Sequence, residues 1–163
     1  MIEAVIALFL SQPADADALR ATVPDYLTAS QAAEHYAAAR AAGARYHVEP
    51  EVLLAVAWHE SRYEPWAVSR EPGGRVSCGV MTPEPKRRCT AYELSMVGGY
   101  ERGAAHLRVW LDRFGDDYRL ALWAYAGGGV NVRACLDGSE SRACLFAGQM
   151  LARARAIRRR PAS

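Results

Sequence analysis

The sequence predicts a single, mostly α-helical domain. Three observations carry that expectation. The chain has 163 residues of which 51% are hydrophobic, enough apolar surface for one compact core. Apolar residues recur at three- and four-residue steps along several segments. Glycine and proline fall mainly between those segments, and no repeat or low-complexity linker divides the chain. The formal charge of +2 is too small for a dedicated nucleic-acid binder, so partners have to be read from sites.

The elements follow in chain order. The run MIEAVIALFL has Glu3 where an export signal needs a positive residue, and about nine apolar-leaning positions precede Ser11, too few to span a bilayer. Residues 1–28 are read as an N-terminal helical extension that begins with a packed amphipathic helix; neither an export signal nor stable membrane insertion is expected. Ser30 is the expected cap of a helix over residues 31–42, with Gly43 as its left-handed stop. Pro50 suits the first turn of the next helix, to about residue 62. There Leu53, Val56, Ala57 and Glu60 share one face, so a carboxylate continues an apolar stripe. Residues 63–89 hold four prolines and three glycines and are read as a long loop or short hairpin region directly after Glu60.

A second long helix is expected over residues 95–114, where Tyr100, Ala104, Leu107, Leu111 and Phe114 keep the helical period until Gly115. Asp116 or Asp117 can cap its successor, residues 118–125, which runs into Gly127, Gly128 and Gly129. The last helix spans about residues 141–159 and ends in a basic run, Arg153, Arg155, Arg158, Arg159 and Arg160. A solvated helix end favourable to the dipole accounts for that run.

Four cysteines form two local pairs, Cys78 with Cys89 and Cys135 with Cys144. Neither spacing is that of a zinc site, and no metal is expected. Disulfides within each pair fit an oxidising place of action; four reduced cysteines are the alternative, and three pairings are open from sequence alone.

Three strings carry chemistry. AVAWHESRYEPWAVS contains Glu60 and Ser61, followed by Pro65, Ala67 and Ser69; CGVMTP contains Gly79, Val80, Met81 and Thr82; ALWAYAGGG contains Ala124, Tyr125, Ala126 and Gly127. Their order and spacing, over a core of about residues 42–130, resemble the soluble lytic transglycosylases and, more distantly, goose-type lysozymes. In that pattern a helix ends in Glu-Ser, a loop gives Gly-Leu-Met-Gln, and a later helix ends in Ala-Tyr-Asn-Ala-Gly. Two positions depart from it: Thr82 stands where the signature has Gln, and the Asn after Tyr125 is absent, replaced by Ala126 or deleted.

The resemblance implies a lysozyme-like domain with a glycan-binding groove, peptidoglycan glycan strands as partner, no cofactor, and a monomer. It also implies non-hydrolytic cleavage between N-acetylmuramic acid and N-acetylglucosamine, leaving a 1,6-anhydro end. Glu60 would act as the single general acid and base. A carboxyl at the end of an apolar helical stripe loses hydration, and the negative helix end further disfavours its charged form. Ser61, Met81, Thr82, Tyr125, Ala126 and Gly127 are the corresponding substrate-binding candidates. Ser61 either orients Glu60 or the N-acetyl group, or bonds back to a helix carbonyl. Tyr125 is expected to line the cleft and hydrogen-bond Glu60, and Met81 either floors a sugar site or simply packs. Of the tryptophans, Trp66 is the cleft candidate. His59 points about a hundred degrees round the helix from Glu60 and is read as a surface or packing residue.

Two rival readings share the fold. A goose-type lysozyme would deliver water and needs a further acid, for which Glu71, Glu84 and Glu93 are available. A non-catalytic glycan-binding module would account for Thr82 and the missing Asn. The expected place of action is outside the cytoplasmic membrane, and phage encoding would supply a route without a signal peptide.

Overall fold

The computed structural model describes Arg20 and residues 26–159. The expected amphipathic helix at the start of the chain, most of the 1–28 extension, and Arg160 lie outside the described residues.

Helix α1 spans Ala29–Tyr46, longer at both ends than residues 31–42. Its cap is Thr28, not Ser30: the Thr28 hydroxyl accepts from the Gln31 N–H while the Gln31 side chain accepts from the Thr28 N–H, a reciprocal pairing that satisfies two donors at once. Gly43 does not stop the helix. It lies within the last turns, where a Cβ would sit 2.5 Å from the Val48 carbonyl oxygen, and the left-handed residue is His47 at φ 53°.

Helix α2, Pro50–Ser61, starts with Pro50 in its first turn as expected. Val52 to Ala57 are buried without exception, so the stripe expected on one face extends round the whole helix, the pattern of an element enclosed by others. Helix α1 and the last helix, Arg142–Arg159, flank it, and the helix Met96–Arg113 touches it. The proline-rich stretch that follows holds an antiparallel hairpin, β1 (Val68–Glu71) with β2 (Arg75–Cys78), in register Val68 to Cys78 and Glu71 to Arg75. A short 3₁₀ turn, Pro72–Gly74, joins them.

Helix α3, Met96–Arg113, is capped by the Ser95 hydroxyl and closed by Phe114, as its period predicts. Asp117 is the cap of α4, accepting from the Arg119 and Leu120 N–H groups at 2.8 and 3.1 Å. Helix α4 spans Tyr118–Leu136, well past residue 125: the glycines kink it at Gly128 (φ 74°, ψ 175°) and it then resumes. Asn131, beyond the kink, donates to the Trp123 carbonyl at 3.1 Å, supplying a partner where the break interrupts the backbone ladder. Helix α5, Arg142–Arg159, packs on α2 and α4. Both local cysteine pairs are disulfides, Cys78–Cys89 and Cys135–Cys144.

The core fills the space between these helices with Leu53, Leu54, Tyr100, Leu107, Leu111 and Leu122, all fully buried. Within it His35 Nδ1 lies 3.0 Å from the Tyr100 hydroxyl, and burial pulls the His35 imidazole down to about 4, against a backbone hydrogen bond at Tyr63. Residues 79–82 are bedded into α3 by close backbone approach. A Cβ on Gly103 would lie 2.3 Å from Met81 Sδ, and one on Gly79, held at φ 84°, would lie 2.2 Å from the Glu93 carbonyl oxygen.

Gly79 therefore faces two obstacles to a side chain, and Gly115, at φ 60° with nothing within 4 Å of its Cβ position, faces one. Gly79→Ala is expected to cost roughly 2–4 kcal/mol, from the left-handed backbone plus overpacking, and Gly115→Ala only about 1 kcal/mol. Urea unfolding of the two variants measures the difference; equal losses would contradict the packing argument.

Candidate active site

Glu60 sits one residue before the end of α2. The helix stops there because Arg62 and Tyr63 both turn left-handed, at φ 57° and 67°, with the Arg62 N–H on the Trp58 carbonyl and the Tyr63 N–H on that of Ala57. Tyr63 is buried beneath the turn. This ending leaves the Glu60 side chain 23% exposed at the wall of a cleft.

Residues 79–82 approach that helix end from the hairpin. The Gly79 N–H bonds the Ala67 carbonyl at 2.9 Å, and the Thr82 N–H bonds the Gly79 carbonyl at 3.2 Å. Thr82 is held at φ 37°, an uncommon conformation for a β-branched residue. Its hydroxyl donates to Glu60 Oε2 at 2.6 Å, a charge-assisted length when the acceptor is a carboxylate. On the other side His59 Nδ1 lies 3.6 Å from Glu60 Oε1 while the His59 ring packs edge-on against Phe146. His59 thus packs, as read from the helix, yet its ring also reaches its neighbour's carboxyl.

The cleft has a volume of about 450 Å³. Of the seven site candidates, Glu60, Thr82, Tyr125, Ala126 and Gly127 line it. Ser61 and Met81 do not. The Ser61 hydroxyl lies 3.1 Å from the Ala57 carbonyl and 2.7 Å from that of Val80, and accepts from the Glu64 N–H; it bonds back to its helix and ties the helix to the loop. The Met81 side chain is fully buried against Gly103. The Tyr125 hydroxyl donates to the Met81 carbonyl at 2.7 Å, not to Glu60. Burial and the charge of Glu60 push this phenol well above its usual range, so it stays a donor.

The hairpin supplies the opposite wall with Ser69, Glu71, Arg75 and Ser77, and Glu84 follows from the loop. Two ring-bearing residues of α3 also line the cleft: His106, which the sequence reading left aside, and Trp110, which it did not single out among the tryptophans. The Trp110 Nε1–H donates to His106 Nε2 at 3.3 Å, and the His106 ring meets Tyr125 at 5.1 Å. Burial pulls His106 below its ordinary value; Glu84 opposes this and Arg102 adds to it. Their four-residue spacing, beside the apolar stripe of α3, was the available signal. Trp66, the expected cleft tryptophan, is instead 67% exposed and outside the cleft, because the chain leaves α2 toward the hairpin before turning back at Gly79.

Glu71 and Glu84 reach the cleft; Glu93 does not. Burial opposes the charge on Glu93, but hydrogen bonds from Lys86 and from the Thr90 backbone and hydroxyl outweigh it and hold the carboxyl at about 2. Arg102 adds an ion pair. Among the tail arginines, Arg158 pairs with Glu49 and Glu51. Among the described residues no cluster of His, Cys, Asp and Glu could hold a metal ion, and no helix is long and apolar enough to cross a membrane.

Residues 37–86 match the family model of the transglycosylase SLT domain. The matched segment contains α2 with Glu60, the hairpin and the 79–82 loop, and over it the likeness to the soluble lytic transglycosylases holds. No curated protein and no solved structure matches the chain.

Glu93 carries a pH signature separate from the cleft. Its carboxyl is lower in the folded state than the ordinary 4.5, so the stability it contributes is complete above pH 4.5 and is lost as pH falls toward 2. The unfolding midpoint is expected to fall through that window in the native chain, and less steeply in Glu93→Gln. Parallel curves for the two proteins would refute the role given to Glu93.

Proposed function

We propose that the chain is a peptidoglycan lytic transglycosylase in which Glu60 is the one catalytic carboxyl. The observation that carries this reading is Glu60 itself, at the cleft wall and fixed by the 2.6 Å hydrogen bond from Thr82, inside the segment that matches the SLT domain. Thr82 holds Oε2, and His59 Nδ1 stands 3.6 Å from Oε1. Protonated Glu60 gives its proton to the glycosidic oxygen as the bond to the anomeric carbon breaks, and the N-acetyl group of the substrate assists the departure. The resulting carboxylate then takes the proton of the muramic acid 6-hydroxyl, whose oxygen closes on the anomeric carbon. The product is a 1,6-anhydro end, and no water is consumed.

The remaining cleft residues support this with positioning. Tyr125 fixes the Met81 carbonyl and through it the loop that bears Thr82. Trp110 and His106 present ring faces and edges to the sugars, and Ser69, Arg75 and Ser77 offer polar contacts from the hairpin. The two disulfides fit action in the oxidising space outside the cytoplasmic membrane.

One observation favours a second reading. Glu71 and Glu84 line the same cleft, so a water held by either would turn the reaction into the hydrolysis of a goose-type lysozyme.

Zymograms on purified cell wall test the assignment. The native chain is expected to clear the wall and Glu60→Gln to leave it intact; equal clearing by both, or none by either, would sink the enzymatic reading in favour of a glycan-binding module. In the same assay Thr82→Val is expected to lose roughly 10- to 100-fold in rate, the kinetic equivalent of one hydrogen bond to a charged group. Thr82→Ser should recover most of it.

A further inference from the structure

The trough does not end at Glu60. A second hollow shares Glu60 and Ala126 with the first and continues along α5, and a third shares His59 and Gln149 with the second. At that far end the Arg62 and Arg153 guanidiniums lie 4.7 and 5.1 Å from the centre of the same ring, Trp58. Arg62 donates, among the described residues, to the Trp58 and His59 carbonyls. Among the described residues neither arginine has a carboxylate partner, and no acidic residue lines this hollow. Arg45, Lys86, Arg108 and Arg158, by contrast, are each matched to an Asp or Glu.

Two like charges held beside one ring repel each other, and an anion bound between them would relieve that repulsion. Burial, the opposing pull of Tyr63, and the charge of Arg62 leave Arg153 below the ordinary guanidinium range, the direction an incoming oxyanion reverses. Arg142, in the adjoining hollow, adds a further positive charge, and Glu60 is the acid there. A planar guanidinium stacked on an aromatic face keeps its N–H edge available for a carboxylate.

We propose that Arg62 and Arg153, arrayed on Trp58, form an anion subsite that receives a carboxylate of the peptide stem carried by the glycan strand bound at Glu60. This rests on the reading given under Proposed function. Continuity of the trough with Glu60 favours an anion attached to that strand over a separate polymer. The other source of oxyanion on a wall strand is the phosphate of a linked polymer, which the test separates.

The test is equilibrium binding, in a Glu60→Gln background so that strands stay uncut, of three labelled strands: stem-bearing, amidase-stripped, and stripped but phosphate-polymer-bearing. The double change Arg62→Gln with Arg153→Gln is expected to weaken binding of stem-bearing strands about tenfold and to leave stripped strands within about twofold. Arg153→Lys, which keeps the charge but not the planar fork stacked on Trp58, is expected to recover only part of the affinity. Should the double variant not fold, the parent gives the same answer, since stem-bearing strands must show the steeper salt dependence. Equal losses on stem-bearing and stripped strands, no loss, a loss confined to phosphate-bearing strands, or equal salt slopes would overturn the subsite. A parent that binds none of the three would overturn the peptidoglycan reading as well.

Discussion

The hydrogen bond from the Ser61 hydroxyl to the Val80 carbonyl, 2.7 Å long, is the constraint on which the cleft is built. It joins the last residue of the central helix to the loop that crosses it, and the other contacts of that loop lie beside the join. Met81 offers its carbonyl to Tyr125 and its side chain to Gly103, and Thr82 offers its hydroxyl to Glu60. Three successive residues, Val80, Met81 and Thr82, are thus pinned to α2, α3 and α4. The Cys78–Cys89 disulfide closes the stretch that contains them. Glu60 is held in place because its surroundings are tied together, which the proton-donor role proposed for it requires.

Thr82 shows how the cleft differs from the pattern it resembles. A longer Gln would reach out from the loop toward a ligand; a Thr at φ 37° is too short for that and turns its hydroxyl onto the carboxyl. Backbone strain at a β-branched residue persists only where its neighbours over-determine it, and here the Gly79 carbonyl and the Glu60 carboxyl do so. Under the proposed function, polar contacts to sugars then fall to the hairpin and to α3, whose His106 and Trp110 stand one turn apart at the cleft.

What the sequence shows of this fold follows from how local each signal is. Pro50, Ser95 and Asp117 are start signals that act within one turn, and each begins the helix expected of it. The paired cysteines are only 11 and 9 residues apart in sequence, so proximity favours pairing within each pair. Thr28 was legible too, since Gln31 stands three residues on and completes the cap, but Ser30 competes for the same role. Gly43 and Gly128 mislead because a glycine admits both a stop and a close approach or kink; which one occurs depends on Val48 and on the packing of α4. The cleft itself is divided in the same way. The motif positions reach it where they lie on α2, the loop end and α4, whereas Trp110 and the hairpin's Arg75 enter from elements whose placement is set by tertiary contact.

The central claim is chemical: one carboxyl, held by Thr82, both gives and takes a proton while the substrate's own hydroxyl closes the ring. Mass analysis of the muropeptides released by the native chain tests it most directly. The account predicts muramic acid ends lighter by one water than reducing ends, the 1,6-anhydro product. Reducing ends as the main product would contradict it and would assign a water-positioning role to Glu71 or Glu84 across the same cleft.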